Sequence, residues 1–281
     1  MTADPSLDIA HLRQWIGREN TVTDRISEDL VRKFHAMLAL PGDVPRLGQP
    51  APRIIHFCLG QPAVPPDGLG SDGHPARGGF LPPVALPRRM WAGGHLTFHS
   101  ELTVGDVVTR TSRIGDVVLK QGRTGSLCFV TVLHHLEVAG RAILDEQQDI
   151  VYRGNEAGSS PPAQAAPQGT HQRPFETSTT TLFRYSALTF NGHRIHYDRR
   201  YAIETEGYAG LVVHGPLQAT LLHNFAADLK GSAPKRFSFR GLSPLIDDDV
   251  CSMHAEPTAG GFRLWTARAA GPVAMQAEAQ W

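Results

Sequence analysis

The pattern that decides the fold and the chemistry lies in FRYSALTFNGHRIHYDRRYAIETEGYAGLVVHGPL, residues 183–217. Within it, a polar loop holds an amide and an imidazole, Asn191 and His196, five positions apart, and a helix-compatible run (199–208) follows. Further on, His214-Gly215-Pro216 opens a second helical run, whose first backbone N–H groups lack partners inside the helix. Such groups bind anions, so this turn predicts a site for an oxygen that gains negative charge.

The same stretch resembles the signature of MaoC-like (R)-specific enoyl-thioester hydratases and dehydratases. In that family an Asp-x-Asn-Pro-x-His loop supplies the catalytic pair, and a downstream His-Gly turn supplies the oxyanion donor. The resemblance places the family histidine on His196 and the turn on His214-Gly215. The family aspartate falls on Asn191 and its Asn-Pro on His193-Arg194, and both are departures. The phrase YSALTFNGHRIH is similar to an Asn-containing subgroup, the mitochondrial-type 3-hydroxyacyl-thioester dehydratases and the 3-methylfumaryl-CoA (mesaconyl-C(4)-CoA) hydratases.

Hydrophobic periodicity in the rest of the chain predicts an α+β fold. Residues 8–40 read as helical, with a break at Asn20-Thr21 and a helix start at Ser27. The segment 41–87 is dense in proline and glycine, and only its residues 53–59 look like a strand. Further strands are predicted at 96–101, 107–118, 127–138, 142–152, 176–182, 236–245, 250–257, 261–270 and 273–280, and a helix at 216–228.

The two halves of the chain share one order of elements, helix before strands. LTFHSELTVGDVV in the first half also lines up weakly with FSFRGLSPLIDDDV in the second. With the family resemblance, this implies a double hotdog, in which each of two long helices is wrapped by its own antiparallel sheet. We therefore predict a non-catalytic hotdog-like half at residues 1–153 that forms a substrate tunnel, a Pro-rich linker at 154–174, and a MaoC-like hotdog with the catalytic loop at 175–281.

Composition excludes several classes of protein. The formal net charge is zero, which argues against a nucleic-acid-binding or polybasic membrane-binding protein. No apolar run approaches the ~20 residues of a membrane span, and the first residues lack the pattern of a signal peptide. The three cysteines, Cys58, Cys128 and Cys251, are too few and too scattered for a disulfide scaffold. We therefore expect a cytoplasmic protein that binds no nucleic acid and no membrane. The family resemblance implies an acyl-CoA thioester as partner, and the double hotdog that it implies suggests a homodimer.

Hydration of an unsaturated thioester needs a base for water, a proton for the α-carbon and donors for the thioester oxygen. His196 suits the base, because imidazole titrates near neutral pH. Asn191 can orient the water through its amide, and the Gly215 N–H is the expected oxyanion donor. Further residues are predicted to contact substrate: Tyr185, Ser186, His193, Arg194 and His214. Arg194, Arg184 and Arg89 are candidate partners of a substrate carboxylate.

Two questions stay open in the sequence. Asp198 fits either a helix N-cap or an acid that assists His196, and a residue of the first half could supply the acid instead. We expect no cofactor beyond the CoA of the substrate, and no metal, because the histidines show no ligand spacing. Alternative functions are a 3-hydroxyacyl-thioester dehydratase of fatty-acid synthesis, a thioesterase, and a non-catalytic acyl-thioester-binding protein, which the Asn191 departure keeps open.

Overall fold

A computed structural model describes residues 7–122, 125–154, 164–247 and 249–281 of the 281-residue chain. In these ranges ten strands form one antiparallel sheet in the order β1-β3-β4-β5-β2-β7-β10-β9-β8-β6. The strands are β1 Glu19–Arg25, β2 Arg88–Phe98, β3 Val107–Gly122, β4 Gly125–Val138, β5 Arg141–Arg153, β6 His171–Phe175, β7 Arg236–Gly241, β8 Cys251–Thr258, β9 Gly261–Arg268 and β10 Val273–Gln280. The α-helices are α1 Ile9–Leu12, α2 Glu28–Met37, α3 Thr179–Leu188 and α4 Gly215–Lys230. The α+β class is confirmed.

The second half forms a hotdog around α4. Pro216 stands in the first turn of α4, where its missing N–H costs no hydrogen bond, and Gly231 ends the helix with a φ of 80°. Small and apolar side chains bury the helix against β7, β8, β9 and β10, among them Ala219, Leu222, Phe225 and Ala226. The packed helix fixes where Gly215, its first residue, meets the inner face of the sheet.

The first half lacks the long helix that the double hotdog implied. Its helix α2 has 10 residues, and Ser27 caps it by accepting from the Leu30 N–H at 3.1 Å, as expected. The supposed helix break at Asn20-Thr21 lies instead inside strand β1, an exposed edge strand. Threonines there pair across to β3, with hydroxyl distances of 3.2 Å for both Thr21–Thr111 and Thr23–Thr109. A long cleft occupies part of the inner face that a longer helix would cover.

Two predicted strands are short helical segments. Residues 53–59 form a 3₁₀ turn, Ile55–Cys58, entered through Ile54 with a φ of 65°. An apolar run is buried on all sides here, and periodicity alone cannot distinguish that from a buried strand. Residues 176–182 start helix α3 instead, because the Ser178 side chain accepts from the Thr181 N–H and caps it. The run after the catalytic loop contains a π-helical turn, Tyr201–Thr205.

The halves join through one pair of strands, β2 and β7. Gly93 pairs with Arg240 and Thr97 with Arg236, and a bulge between Trp91 and Gly93 bends β2 at the junction. A Cβ on Gly93 would lie 2.5 Å from the Phe239 carbonyl oxygen, so only glycine allows this approach of the two backbones. The junction brings Trp91, near the first residue of β2, beside the start of α4.

The predicted boundary at residue 153 coincides with the end of β5. Most of the predicted linker, residues 155–163, lies outside the described residues. The end of the segment is not a free linker, because β6 starts at His171 and pairs with β8. The main core cluster takes residues from both halves, so the two units share a hydrophobic interior. No helix among the described residues is long and apolar enough to cross a membrane.

Candidate active site

The catalytic loop follows α3, which ends at Leu188. Phe190 adopts a φ of 47° and turns the chain out of the helix into the loop. The Asn191 N–H donates to the Ser186 carbonyl oxygen at 2.9 Å, and the Asn191 Oδ1 accepts from the His193 N–H at 3.0 Å. The Asn191 oxygen therefore holds the loop, while its NH₂ group remains available at the cleft that this residue lines.

His196 is held in one tautomer. It ends the 3₁₀ turn Arg194–His196, and its Nδ1 lies 2.7 Å from the Val212 carbonyl oxygen. A carbonyl can only accept, so Nδ1 carries the proton and Nε2 keeps a free lone pair. Burial lowers the pKa of His196 to about 4, against a smaller raising effect of the bond to Val212. At neutral pH the side chain is thus an uncharged base.

Two histidines fix the His196 ring from either side. His214 stacks on it with ring centroids 3.6 Å apart, and His193 meets it edge-on at 5.4 Å. Ser186 Oγ and His214 Nε2 are 2.8 Å apart, which anchors the His214 ring. Burial, followed by the neighbouring His196 and His193, holds the pKa of His214 well below its ordinary value. His214 is therefore a neutral brace for His196.

The start of α4 supplies an unused donor on the same cleft. Gly215 is the first residue of the helix, and its N–H has no hydrogen-bond partner in the described part of the chain. The cleft has a volume of about 1560 Å³, and Asn191, His193, His196 and Gly215 all line it. A base, an amide and a free N–H at a helix start therefore share one cavity, as hydration of a thioester requires.

Sequence comparison identifies the family of the chain. The family model described as hydroxyacyl-thioester dehydratase type 2 matches residues 54–247. The chain belongs to the hydroxyacyl-thioester dehydratase type 2 family. The chain is also 40% identical over 271 residues to the mesaconyl-C(4)-CoA hydratase of Chloroflexus aurantiacus, covering 94% of this chain and 95% of that protein. The resemblance to MaoC-like hydratases is confirmed, and the protein is an enzyme of the hydro-lyase class.

Structural comparison identifies the fold of this family member. A MaoC-like dehydratase from Phytophthora capsici matches with a TM-score of 0.70 at 14% identity, covering 98% of both chains. A Mycobacterium tuberculosis protein described as having a double hotdog fold matches with a TM-score of 0.54 at 13% identity, covering 95% of this chain and 96% of that one. The double hotdog prediction is confirmed, with a first unit whose helix is short.

Three predicted substrate contacts have other roles in this dehydratase-family chain. Tyr185 is fully buried behind His214, with ring centroids 5.0 Å apart, and does not line the cleft. His214 is likewise covered, by His196. Arg194 turns away from the cleft, pairs with Asp198 at 2.8 Å and lies over the Tyr201 ring at 4.2 Å. Of the predicted contacts, Ser186 and His193 do line the cleft.

Asp198 takes the structural alternative. Its Oδ1 accepts from the Tyr201 N–H at 3.0 Å, and its Oδ2 binds Arg194. The backbone bond from Tyr201 and the bond from Arg194 lower the pKa of Asp198. A carboxylate used in this way is a helix cap, not the acid partner of His196.

A turn from the first half, residues 70–74, reaches the catalytic loop, which the sequence did not predict. The Arg194 N–H donates to the Asp72 carbonyl oxygen at 2.9 Å, and His74 packs on His193 with ring centroids 4.2 Å apart. We call residues 70–74 the docked turn. Gly73 has a φ of +85°, and a Cβ there would lie 1.9 Å from the Gly192 carbonyl oxygen, so the contact requires glycine.

The docked turn also creates a grouping that the sequence spacing did not suggest. Asp72, His74 and His193 place one possible ligand atom each within 4.8 Å of one another. Asp72 Oδ2 and His74 Nδ1 are 3.2 Å apart, so the carboxylate is satisfied by the imidazole. The nearby positive charge of Arg89 acts on both groups and opposes a divalent cation. We interpret the three residues as a hydrogen-bonded wall of the active site.

The buried histidines predict a strong dependence of stability on pH. Burial is the main cause of a lowered pKa in His56, His134, His193, His196, His214 and His223. The unfolded chain therefore binds protons below pH ~6.5 that the folded chain refuses. We expect the free energy of unfolding, measured in urea, to fall steadily as pH drops from about 6.5 to 4.

A single substitution tests whether buried histidines cause this fall in stability. His223 is buried between Phe98 and Phe237, both of its ring nitrogens lack partners, and burial lowers its pKa to about 3. His223→Leu should reduce proton uptake on unfolding by about one near pH 5 and flatten the decline. A wild-type free energy of unfolding that is the same at pH 7 and at pH 5 would contradict the expectation.

Proposed function

We propose that the enzyme reversibly adds water to the carbon–carbon double bond of an α,β-unsaturated acyl-CoA. The best-fitting substrate is a short branched dicarboxylic acyl-CoA such as 3-methylfumaryl-CoA (mesaconyl-C(4)-CoA), which hydration converts to citramalyl-CoA. The observation that carries the proposal is the placement of His196, with Nδ1 locked on Val212, and the free Gly215 N–H on one cleft. The activity named for the Chloroflexus aurantiacus relative supports the substrate.

The residues account for each step of hydration. The Asn191 amide and the Nε2 of His196 orient a water molecule, and Nε2 takes its proton as the oxygen bonds to the β-carbon. The electron pair of the double bond moves toward the thioester oxygen, where the Gly215 N–H stabilises the charge. The imidazolium of His196 then returns the proton to the α-carbon, and neutral His196 is regenerated. No group beyond the substrate's own CoA is required.

Burial of His196 favours this return of the proton. The surroundings disfavour its charged form, as the pKa of about 4 reflects. The two rings in contact with it, His214 and His193, also stay neutral, and no described carboxylate contributes to the lowered pKa of His196. The base therefore gives its proton up readily, which suits a reaction that runs in both directions.

A dehydratase acting on long 3-hydroxyacyl thioesters is the second candidate, because the family is described by that activity. The first-half part of the cleft argues against a long saturated chain. Polar side chains line it: His56, Arg110, Ser112, His134, Glu146 and Gln148. His56 Nε2, Arg110 Nε and Glu146 Oε1 are buried without partners, and burial raises the pKa of Glu146 to about 7. A methylene chain would offer none of these groups a hydrogen bond, whereas a polar acyl group could.

A panel of thioesters tests the proposal. Purified enzyme is mixed with 3-methylfumaryl-CoA, crotonyl-CoA or a ten-carbon enoyl-CoA, and loss of the enoyl-thioester absorbance is followed. We expect the highest kcat/KM with the dicarboxylic substrate. A preference for the ten-carbon substrate would favour the dehydratase. Release of free thiol would indicate a thioesterase, and binding without turnover a non-catalytic protein.

Assembly and location belong to the same proposal. We propose a homodimer and a cytoplasmic enzyme. All site residues discussed above come from one chain. Size-exclusion chromatography with light scattering would determine the assembly, and a monomer at micromolar concentration would contradict it.

A further inference from the structure

Two donors on strand β2 face the cleft beside the reaction site. Arg89 and Trp91 both line the cleft, and they are alternate residues that pair with Tyr152 and Ile150 of β5, so their side chains share one face. The Trp91 Nε1–H is buried and has no hydrogen-bond partner in the described chain. Arg89 forms no ion pair with a described carboxylate within 4.0 Å. The Trp91 Nε1–H has no acceptor in the described chain, whereas Arg89 has the neutral Tyr152 hydroxyl beside it but no carboxylate partner among the described residues.

Trp91 connects these donors to the oxyanion site. A Cβ on Gly215 would lie 3.5 Å from the Trp91 ring, so the ring borders the start of α4. Arg89 lies two positions before Trp91 on the same face of the strand, about 7 Å away. The start of α4, the Trp91 ring and Arg89 therefore follow one another along the wall of the cleft.

Arg89 also lies close to the base. Burial is the largest influence on the pKa of Asp72, His74 and His193, and the positive charge of Arg89 acts on all three toward lower values. His193 in turn contacts His196. The guanidinium therefore lies on the side of the cleft that holds the docked turn and the catalytic loop.

Three other arginines of this region have partners in the protein. Arg88, the neighbour of Arg89, pairs with Glu206 at 3.8 Å. Arg77 donates to the carbonyl oxygens of Val84 and Pro87 at 2.6 and 2.7 Å, and Arg194 pairs with Asp198. Asp72 accepts from the His74 N–H at 3.0 Å, and its Oδ2 lies 3.2 Å from the His74 Nδ1, so its oxygens bind His74 and not Arg89.

We infer that Arg89 and the Trp91 Nε1–H form a subsite that binds a carboxylate carried by the acyl group next to its reacting double bond. The inference rests on the proposed hydratase function and assigns the choice of a dicarboxylic acyl-CoA to the first half of the chain. The guanidinium offers two parallel N–H groups to the carboxylate, and the indole offers a third donor. The chemistry stays on the second half.

Arg89→Gln tests the subsite, with Arg88→Gln as a matched control on the same strand. Steady-state kinetics are measured with 3-methylfumaryl-CoA and with crotonyl-CoA, which lacks the carboxylate. Arg89→Gln should raise KM for the dicarboxylic substrate about 100-fold or more and change crotonyl-CoA kinetics less than 3-fold. Arg88→Gln should leave the ratio of the two substrates unchanged.

Two further variants separate recognition from folding. Arg89→Lys keeps the charge but loses the parallel pair of donors, and should fall between wild type and Arg89→Gln. Trp91→Phe keeps a packed ring without the N–H, and should raise KM for the dicarboxylic substrate about 5- to 10-fold. Equal losses on both substrates, or no loss on the dicarboxylic one, would overturn the inference. A wild type that hydrates neither substrate would instead refute the proposed function.

Discussion

The His196→Ala enzyme is expected to hydrate its acyl-CoA substrate with a kcat about 10²- to 10⁴-fold below that of wild type. Val212 holds the proton on Nδ1, which leaves Nε2 as the proposed base. KM should change little, because the thioester still meets the Gly215 N–H. In wild type, kcat/KM should be flat from neutral pH down to about 5 and fall toward the pKa of about 4, as His196 becomes protonated. Loss of enoyl-thioester absorbance measures both.

The control for this variant is His254→Ala. His254 is also buried, but it stacks on Trp265 at 5.5 Å in β8 and does not line the cleft. Its replacement should affect stability and leave kcat within a few-fold. An active His196→Ala enzyme with wild-type kcat would exclude His196 as the base.

Gly215→Pro is expected to lower kcat by about 10²- to 10³-fold, the usual cost of one lost oxyanion donor. Proline removes the N–H and little else at the first position of a helix. Gly215→Ala keeps the N–H and is the matched control. Its added Cβ would be 3.5 Å from the Trp91 ring, an ordinary contact, so a few-fold change is expected. Kinetics of the two variants on 3-methylfumaryl-CoA make the comparison.

Because residue 215 precedes Pro216, its backbone is restricted and a substitution there could impair folding. The thermal unfolding temperature of each variant measures any such defect. Where both variants unfold within a few degrees of wild type, the difference in kcat reports the donor. Equal rates for the proline and alanine variants would remove Gly215 from the oxyanion site and point to a different N–H.

The parts of the fold that sequence predicts best are those with a strong period. The strands of both halves and α4 alternate or repeat in ways that only one kind of element satisfies. Strand β1 escaped prediction because both of its faces are exposed, so it shows no alternation. The run at 53–59 is apolar at nearly every position, and only its left-handed entry at Ile54 makes it a turn.

The residues of the site also fall into two groups, those that a sequence motif predicts and those that only the fold brings together. Asn191, His196 and Gly215 are close in sequence, so a motif could place them. The docked turn and Trp91 were missed because they reach the site only through the fold, from a Pro- and Gly-rich segment without periodicity and from a strand of the other half. Tyr185 and His214 carried the right residue types at the right spacing, yet Tyr185 is buried behind His214 and His214 behind His196, so neither lines the cleft. A linear motif does not distinguish residues that line the cleft from residues that are buried behind them.

The junction of β2 with β7 leaves the sheet with two outer edges, β1 and β6. Unpaired strand edges recruit other strands, and a ten-stranded sheet would otherwise be a template for aggregation. Edge β1 carries Glu19, Asp24 and Arg25 on exposed positions, and β6 has 5 residues with Pro174 among them. Charge and proline at its borders thus keep this sheet from polymerising. Two copies would therefore meet through helices or loops, not by joining their sheets.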